Sequence, residues 1–232
     1  MKLLLVGCEY AGTTTLAHAI DDWMEQAMGS RLSLIHDHWK IPYTIGHSTD
    51  RTHPAEITEE EEKQFLALSS RLKDNVQRHN LYYHTPRQPS SSHNPDKMVI
   101  GMHIEDGIYG PRYFGYGQPG ERFDRRVVSA QIEHLIVKYE SETVLVLVKA
   151  SPDVIARRMK DSPHRNGVLQ EKDIEFILDR FEEECRTSLI ANKITLDTGD
   201  SSVERTVAEF VRKMEPYFTV ADRLRMVSHR VP

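Results

Sequence analysis

The chain has 232 residues, of which 39% are hydrophobic and 28% charged, as in an ordinary water-soluble domain that buries a core. Its net charge of −5 excludes a general electrostatic attraction for nucleic acid, and the apolar run at residues 3–7 is too short for a secretion signal or a membrane span. Because Cys8 and Cys185 predict no disulfide framework, we expect a location in the reducing cytoplasm and no membrane attachment.

Short apolar runs alternate along the chain with longer amphipathic stretches, which is typical of a parallel sheet covered by helices. The strands are predicted over residues 2–7, 32–36, 98–103, 143–148 and 193–197. The helices are predicted over residues 14–27, 58–80, 123–139, 152–160, 171–189 and 202–215. Five parallel strands joined by crossover helices predict a three-layer αβα fold in a single domain, 1–232. Ligands of such folds bind beyond the carboxyl ends of the strands.

Two stretches interrupt this alternation. Residues 84–97 are rich in proline, serine and asparagine, and we expect a mobile, exposed insertion there. Residues 109–123 are rich in glycine and aromatic side chains and follow a predicted strand at its carboxyl end. We therefore expect this second stretch to be a loop whose rings line a pocket.

The stretch "GCEYAGTTTLA", which begins at Gly7, lies between the first strand and the first helix. It resembles the phosphate-binding P-loop, GxxxxGK[ST], in its glycine spacing, Gly7 and Gly12, and in its hydroxyl, Thr14; Thr13 stands where the lysine belongs. The strand, glycine turn and helix start predict a P-loop NTPase fold in which free N–H groups bind an anion. We expect these residues and Thr15 to bind a nucleotide phosphate. The lost lysine should impair catalysis more than binding, since transition-state charge spreads over the same oxygens.

Later stretches resemble the deoxyribonucleoside kinase family of P-loop kinases. Three stretches are similar to family patterns at the same positions in the fold. After the second strand, "HDHWKIP" is similar to "EPVxxW"; in the following helix, "QFLALSSRL" is similar to "FQxYxxxSR"; and after the third strand, "EDGIYGPRYF" is similar to "ERSxYSDRYxF". The stretch "VLVKASPDVIARRMKDSPHRNGVLQEKDIEFILDRFEEE" is similar to the family's fourth strand, helix start, arginine-bearing lid and next helix. The likeness extends over nearly the whole chain, and the related thymidylate kinases match these elements less well.

The resemblance implies roles for residues near the acceptor. Asp37 would take the proton of a sugar hydroxyl, with a solvated turn aspartate as the alternative. Trp39 would form a flat wall for a base, with ordinary core packing as the alternative. Gln64 and Arg71 lie seven residues apart, so we predict that they share one face of the helix over residues 58–80 and bind the acceptor together.

The element after the third strand carries further implied roles. Glu105 would hold Mg²⁺ through water or bind the sugar side, and Thr14 is the other expected metal ligand. Tyr109 and Arg112 would contact the acceptor. Asp106 stands where the family has an arginine, so this chain lacks a second cation beside the transferred phosphoryl group.

Replacement charge is expected from a lid segment over residues 158–171. Arg158 and Arg165 would close over the phosphates, as arginines do in other phosphoryl transferases, with a solvated helix face as the alternative. The leading hypothesis is therefore a Mg²⁺-dependent kinase that transfers the γ-phosphoryl group of ATP to a hydroxyl of a (deoxy)nucleoside or a similar small acceptor. We expect a nucleoside or nucleotide as partner, but neither nucleic acid nor a membrane, and leave a monomer or a homodimer open.

Two other hypotheses remain open. Sulfuryl transfer from a phosphosulfate nucleotide is indicated by "AGTTT", which resembles the "SGTT" loop of sulfotransferases over about four residues. A catalytically silent nucleotide-binding protein is consistent with the two missing cations.

Overall fold

The structure, a computed structural model, describes residues 1–32, 35–37, 41–42, 57–88 and 96–229, and for residues 36 and 37 the backbone alone. Five strands in this part form one parallel sheet in the order β2-β3-β1-β4-β5. They are β1 (Lys2–Val6), β2 (Ile35–Asp37), β3 (Lys97–Ile100), β4 (Val144–Lys149) and β5 (Asn192–Asp197). The central strand β1 is apolar after its first residue and buried along its whole length, as expected for a strand covered on both faces.

Nine α-helices lie in the described residues. They are α1 (Thr13–Met28), α2 (Glu59–Ala67), α3 (Ser70–His84), α4 (Met102–Tyr109), α5 (Arg125–Tyr139), α6 (Pro152–Asp161), α7 (Ile174–Thr187), α8 (Val203–Met214) and α9 (Val220–His229). Helix α1 packs with α8 and α9, whereas α4 packs with α5 and α7. The two groups form the outer layers around the sheet, so the predicted three-layer α/β fold is confirmed.

The helix predicted over residues 58–80 is in fact two helices. Leu68 and Ser69 are extended, with ψ values of 148° and 154°, and the Ser69 hydroxyl caps α3 by accepting a hydrogen bond from Leu72 N at 3.4 Å. A serine side chain competes for backbone N–H groups in this way and starts a new helix. The prediction that Gln64 and Arg71 share a continuous helix face is therefore wrong.

The stretch predicted as a glycine-rich loop over residues 109–123 is helical up to Phe114 and consists of turns and bends over residues 115–123. Strand β3 ends at Ile100, Gly101 turns the chain with a φ of 78°, and α4 continues into a π-helical turn over Gly110–Phe114. The rings of Tyr109 and Tyr116 are 0% and 4% exposed, so they pack in the core instead of lining a pocket. Large aromatic side chains gain most of their stabilisation from such burial.

A buried polar cluster joins α4, α5 and the connection after α7. Glu133 Oε1 lies 3.2 Å from His103 Nε2 and accepts a hydrogen bond from the Ser188 hydroxyl at 2.6 Å, and Glu133 Oε2 accepts one from Leu189 N at 2.6 Å. Burial raises the pKa of Glu133, but these partners outweigh it and hold the pKa below its ordinary value of 4.5. The cluster stabilises the layer of helices that carries Glu105.

Candidate active site

The phosphate loop leaves β1 at Gly7 and enters α1 after Gly12. A Cβ atom on Gly7 would lie 2.4 Å from the Val148 carbonyl oxygen, so only glycine lets the loop pass this close to β4. Gly12 has a φ of 87°, in the left-handed region that favours glycine. Among the described side chains none caps the first turn of α1, so the N–H groups at its start remain available for a ligand.

A cavity of about 380 Å³ opens beside this loop, within the usual size range of small-ligand sites. All five residues of the predicted phosphate site line it: Gly7, Gly12, Thr13, Thr14 and Thr15. Glu105 and Arg158 also line it. The structure therefore brings together the predicted loop, one predicted metal ligand pair and one predicted lid arginine.

Arg158 is the cavity's source of fixed positive charge among the described lining residues. Its Nη1 donates hydrogen bonds to the carbonyl oxygen of Tyr10 at 3.0 Å and to the hydroxyl of Thr198 at 3.1 Å. Its Nη2 donates to the carbonyl oxygen of Thr198 at 2.6 Å. Burial and the charge of Arg157 lower the pKa of Arg158, but a guanidinium stays protonated at physiological pH.

Glu105 and Thr14 are the residues that could hold a divalent cation. Glu105 is 2% exposed, and its Oε1 accepts a hydrogen bond from Gly7 N at 3.2 Å. Within the described ranges, no group of three or more His, Cys, Asp or Glu side chains forms a metal site. Mg²⁺ at kinase sites typically takes one or two protein oxygens and several phosphate and water oxygens, so these two residues fit that role.

The lid segment lies against the phosphate loop and is bound by the loop's own side chains. Glu9 Oε2 accepts hydrogen bonds from Val168 N at 3.1 Å and Leu169 N at 2.9 Å. The Tyr10 hydroxyl accepts one from His164 N at 3.0 Å, and the two rings stack with centroids 4.0 Å apart. Two consecutive residues of the loop thus hold the lid in place over one side of the cavity.

Tyr109 contacts two residues of the phosphate loop from within the core. Its hydroxyl accepts a hydrogen bond from Glu9 N at 3.0 Å and lies 3.8 Å from the Cys8 sulfur. The side chain is completely buried, and burial raises its pKa well above the ordinary value. Because a buried hydroxyl in these contacts cannot reach a ligand, Tyr109 acts on the loop and not on an acceptor.

Two predicted arginines are paired with carboxylates outside the cavity lining. Arg165 forms ion pairs with Glu62 at 2.8 Å and Glu59 at 3.5 Å, which tie the lid segment to α2. Arg112 pairs with Asp173 just before α7. Their charges are therefore offset locally, and neither guanidinium faces the phosphate loop in this arrangement.

The remaining predicted residues contribute less to the described site. Gln64 donates to Glu60 at 3.3 Å on the exposed face of α2, and Arg71 is exposed on α3. The side chain of Asp37, at the end of β2, and the whole of Trp39 lie outside the described residues. So do residues 89–95 of the predicted insertion.

Asp106, at the position of the second missing cation, faces away from the cavity. It is 1% exposed, pairs with Arg125 and accepts a hydrogen bond from the Tyr116 hydroxyl at 2.7 Å. Burial raises the pKa of Asp106 despite these partners. The carboxylate is thus part of the core and adds no negative charge to the phosphate site.

Much of the remaining lining was missed from sequence. It comes from the loop, the lid segment, the connection after β5 and the start of α8: Glu9, Tyr10, Ser162, His164, Thr198, Ser201, Val203 and Thr206. The rule that ligands bind beyond the carboxyl ends of parallel strands would have indicated Thr198 and Ser201, because they belong to the small polar run "TGDSS" that directly follows β5.

A parallel sheet with a phosphate loop between its central strand and first helix is the fold of P-loop nucleotide-binding proteins. The YorR protein from Bacillus subtilis, in complex with phosphorylated GDP, matches with a TM-score of 0.56 at 14% identity, over 94% of this chain and 99% of its own. Thymidylate kinase from Ehrlichia chaffeensis matches with a TM-score of 0.55 at 12% identity, over 93% and 98%. Deoxyadenosine kinase from M. mycoides with bound dATP matches with a TM-score of 0.54 at 12% identity, over 93% of this chain and 100% of its own.

These likenesses show that the chain shares the three-layer αβα fold of these structures. No protein-family model and no curated protein matches the sequence. Over the described ranges, none of the helices combines the length and apolar character needed to cross a bilayer.

Proposed function

We propose that the protein is a Mg²⁺-dependent phosphotransferase that moves the γ-phosphoryl group of ATP to a hydroxyl of a nucleoside or a similar small acceptor. One observation carries the proposal: the open N–H groups at the start of α1 and the guanidinium of Arg158 line the same cavity. Together they provide hydrogen-bond donors and a positive charge for a polyphosphate. The kinase fold and the resemblance of the sequence support the same reading.

Arg158 takes over the part of the charge that Thr13 cannot supply. An arginine that stabilises a transferred phosphoryl group contributes about 10³–10⁵ in rate in other phosphoryl transferases. Here it is already fixed beside the loop by three hydrogen bonds, so the ligand does not have to order it.

The other roles follow from position in the cavity. Gly12, Thr13 and Thr15 would present backbone N–H groups to the phosphates, Gly7 lets the loop pass close to β4, and Thr14 and Glu105 would hold Mg²⁺. When bound, the cation would offset charge on the phosphate oxygens. Asp37, at the carboxyl end of β2, would accept the proton of the acceptor hydroxyl.

The test compares Arg158→Ala with Arg157→Ala, which removes an exposed arginine from the next position of the same helix. Transfer of phosphate from ATP to a panel of nucleosides is measured with and without Mg²⁺. Wild type and Arg157→Ala should form product with Mg²⁺, and Arg158→Ala should be slower by about 10³-fold or more. Absence of product with every nucleoside would overturn the transfer reaction.

A catalytically silent nucleotide-binding protein is the second candidate. The pairing of Arg165 with Glu62 favours it, because one of the two arginines expected at the phosphates is engaged elsewhere. A ligand at a hundred times its Kd stabilises a protein by about 2.7 kcal/mol, which a thermal unfolding assay detects. Stabilisation by Mg·ATP without turnover would select this candidate, and stronger stabilisation by phosphoadenosine phosphate than by Mg·ADP would select sulfuryl transfer.

A further inference from the structure

Thr198 lies where β5 ends beside the phosphate loop. Its N–H donates to the Lys149 carbonyl oxygen at 2.9 Å, which fixes the residue at the ends of β4 and β5. The side chain is 9% exposed and lines the cavity. Thr198 is thus the first residue after β5, and its backbone is still hydrogen-bonded to β4.

Both oxygens of Thr198 bind the guanidinium of Arg158. The hydroxyl accepts from Nη1 at 3.1 Å and the carbonyl oxygen accepts from Nη2 at 2.6 Å. The same hydroxyl donates its own hydrogen to the Ala11 carbonyl oxygen at 2.6 Å. One side chain therefore joins β5, the phosphate loop and the arginine.

Arg158 keeps hydrogen-bond donors that could bind a ligand. A guanidinium carries five N–H donors. Three are used, by Tyr10 and by the two oxygens of Thr198. Nε and one hydrogen of Nη2 stay without a bond to any described residue, and adjacent donors of this kind match two oxygens of a phosphate.

We propose that Thr198 is the positioning residue that holds the Arg158 guanidinium against the phosphate loop, so that the arginine serves in place of the missing loop lysine. The inference rests on the proposed function, because it assumes that the cavity binds a polyphosphate. A flexible arginine without this anchor would lose side-chain freedom on each binding event, and the affinity for phosphates would fall accordingly.

The experiment measures binding of Mg·ATP and of adenosine by calorimetry to wild type, Thr198→Val, Thr198→Ser and Arg158→Ala, and to the double variant Thr198→Val/Arg158→Ala. The valine variant keeps the shape and removes the hydroxyl, whereas serine keeps the hydroxyl. Thr195→Val is the matched control, since Thr195 is an exposed threonine of β5, three residues before Thr198.

Thr198→Val should weaken Mg·ATP binding about tenfold or more, as expected for loss of a hydrogen bond to a charged group. Thr198→Ser should bind ATP like wild type, adenosine binding should be unchanged throughout, and the double variant should bind ATP no more weakly than Arg158→Ala alone. If Thr198 had a purely structural role, its substitution would weaken adenosine binding as well, and its effect on ATP binding would simply add to that of Arg158→Ala.

Three results would overturn the inference while leaving the proposed function intact. Thr198→Val could bind Mg·ATP as tightly as wild type, or Thr198→Ser could bind it as weakly as Thr198→Val. The third result is a double variant whose loss of binding free energy equals the sum of the losses in the two single variants. If Thr198→Val does not fold, Thr198→Ala against Thr198→Ser makes the same comparison. If wild type and Thr195→Val themselves do not bind Mg·ATP, the proposed function fails and the inference fails with it.

Discussion

Replacing Glu9 with glutamine should release the lid segment from the phosphate loop. Glu9 is 8% exposed, and its Oε2 accepts hydrogen bonds from Val168 N at 3.1 Å and Leu169 N at 2.9 Å. The substitution keeps the shape and an acceptor oxygen but removes the negative charge. Both hydrogen bonds then change from charge-assisted to neutral.

The expected magnitude follows from these two bonds. A hydrogen bond to a charged group contributes about 1.5–3 kcal/mol net and a neutral one about 1 kcal/mol. Loss of charge at two bonds should therefore lower the free energy of lid opening by roughly 1–4 kcal/mol. Because 1.4 kcal/mol is a factor of ten, the open lid should become at least about five times, and at most about a thousand times, more populated.

Amide hydrogen exchange at Val168 and Leu169 measures this opening directly. The protection of both amides should fall by that factor in Glu9→Gln, while the amides of β4 keep theirs. Glu171→Gln is the control, because it removes the same charge from an exposed position at the end of the lid segment. Unchanged protection in Glu9→Gln, or an equal loss in the control, would refute the role assigned to Glu9.

Three further outcomes are expected. Gly7→Ala should abolish Mg·ATP binding in calorimetry, because the new Cβ would lie 2.4 Å from the Val148 carbonyl oxygen; retained affinity would contradict the loop geometry. Burial raises the pKa of the Cys8 thiol to about 12, so a thiol reagent should label it only after unfolding, and rapid labelling of the native protein would contradict the burial. Glu133 has a folded pKa below its ordinary 4.5, so the stability it contributes is present above that value and is lost as pH falls through the folded pKa. In urea unfolding, wild type and Glu133→Gln should therefore differ at neutral pH and converge below pH 4.5, and a constant difference would count against the cluster with His103.

Local patterns were enough to predict the glycine turn between β1 and α1. The apolar strand, the glycines Gly7 and Gly12 and the start of α1 lie within one short segment, and each acts on the backbone next to it. The alternation of apolar and amphipathic stretches likewise predicted the α/β class and all five strands to within a few residues. These features depend on neighbours in sequence, so a single sequence displays them.

The same local reasoning failed where two patterns compete. The apolar periodicity of residues 58–80 favours one helix, but Ser69 caps a second helix and ends the first. The glycines and aromatic rings of residues 109–123 favour a loop, and residues 115–123 form one, but burial of Tyr109 and Phe114 in the core stabilises helical turns up to Phe114. Packing and capping decided both cases, and neither is visible in residue type alone.

Contacts between distant segments required the folded chain. Thr198 and Ala11 are 187 positions apart in the sequence. They become neighbours because β5 lies beside β4 in the sheet and β4 lies beside β1. Arg165 and Arg112 look like equivalent cations in the sequence, yet each meets a carboxylate from another segment, whereas Arg158 meets the phosphate loop. Strand order and side-chain pairing are long-range properties, and they determine that Arg158, and neither Arg112 nor Arg165, lines the cavity.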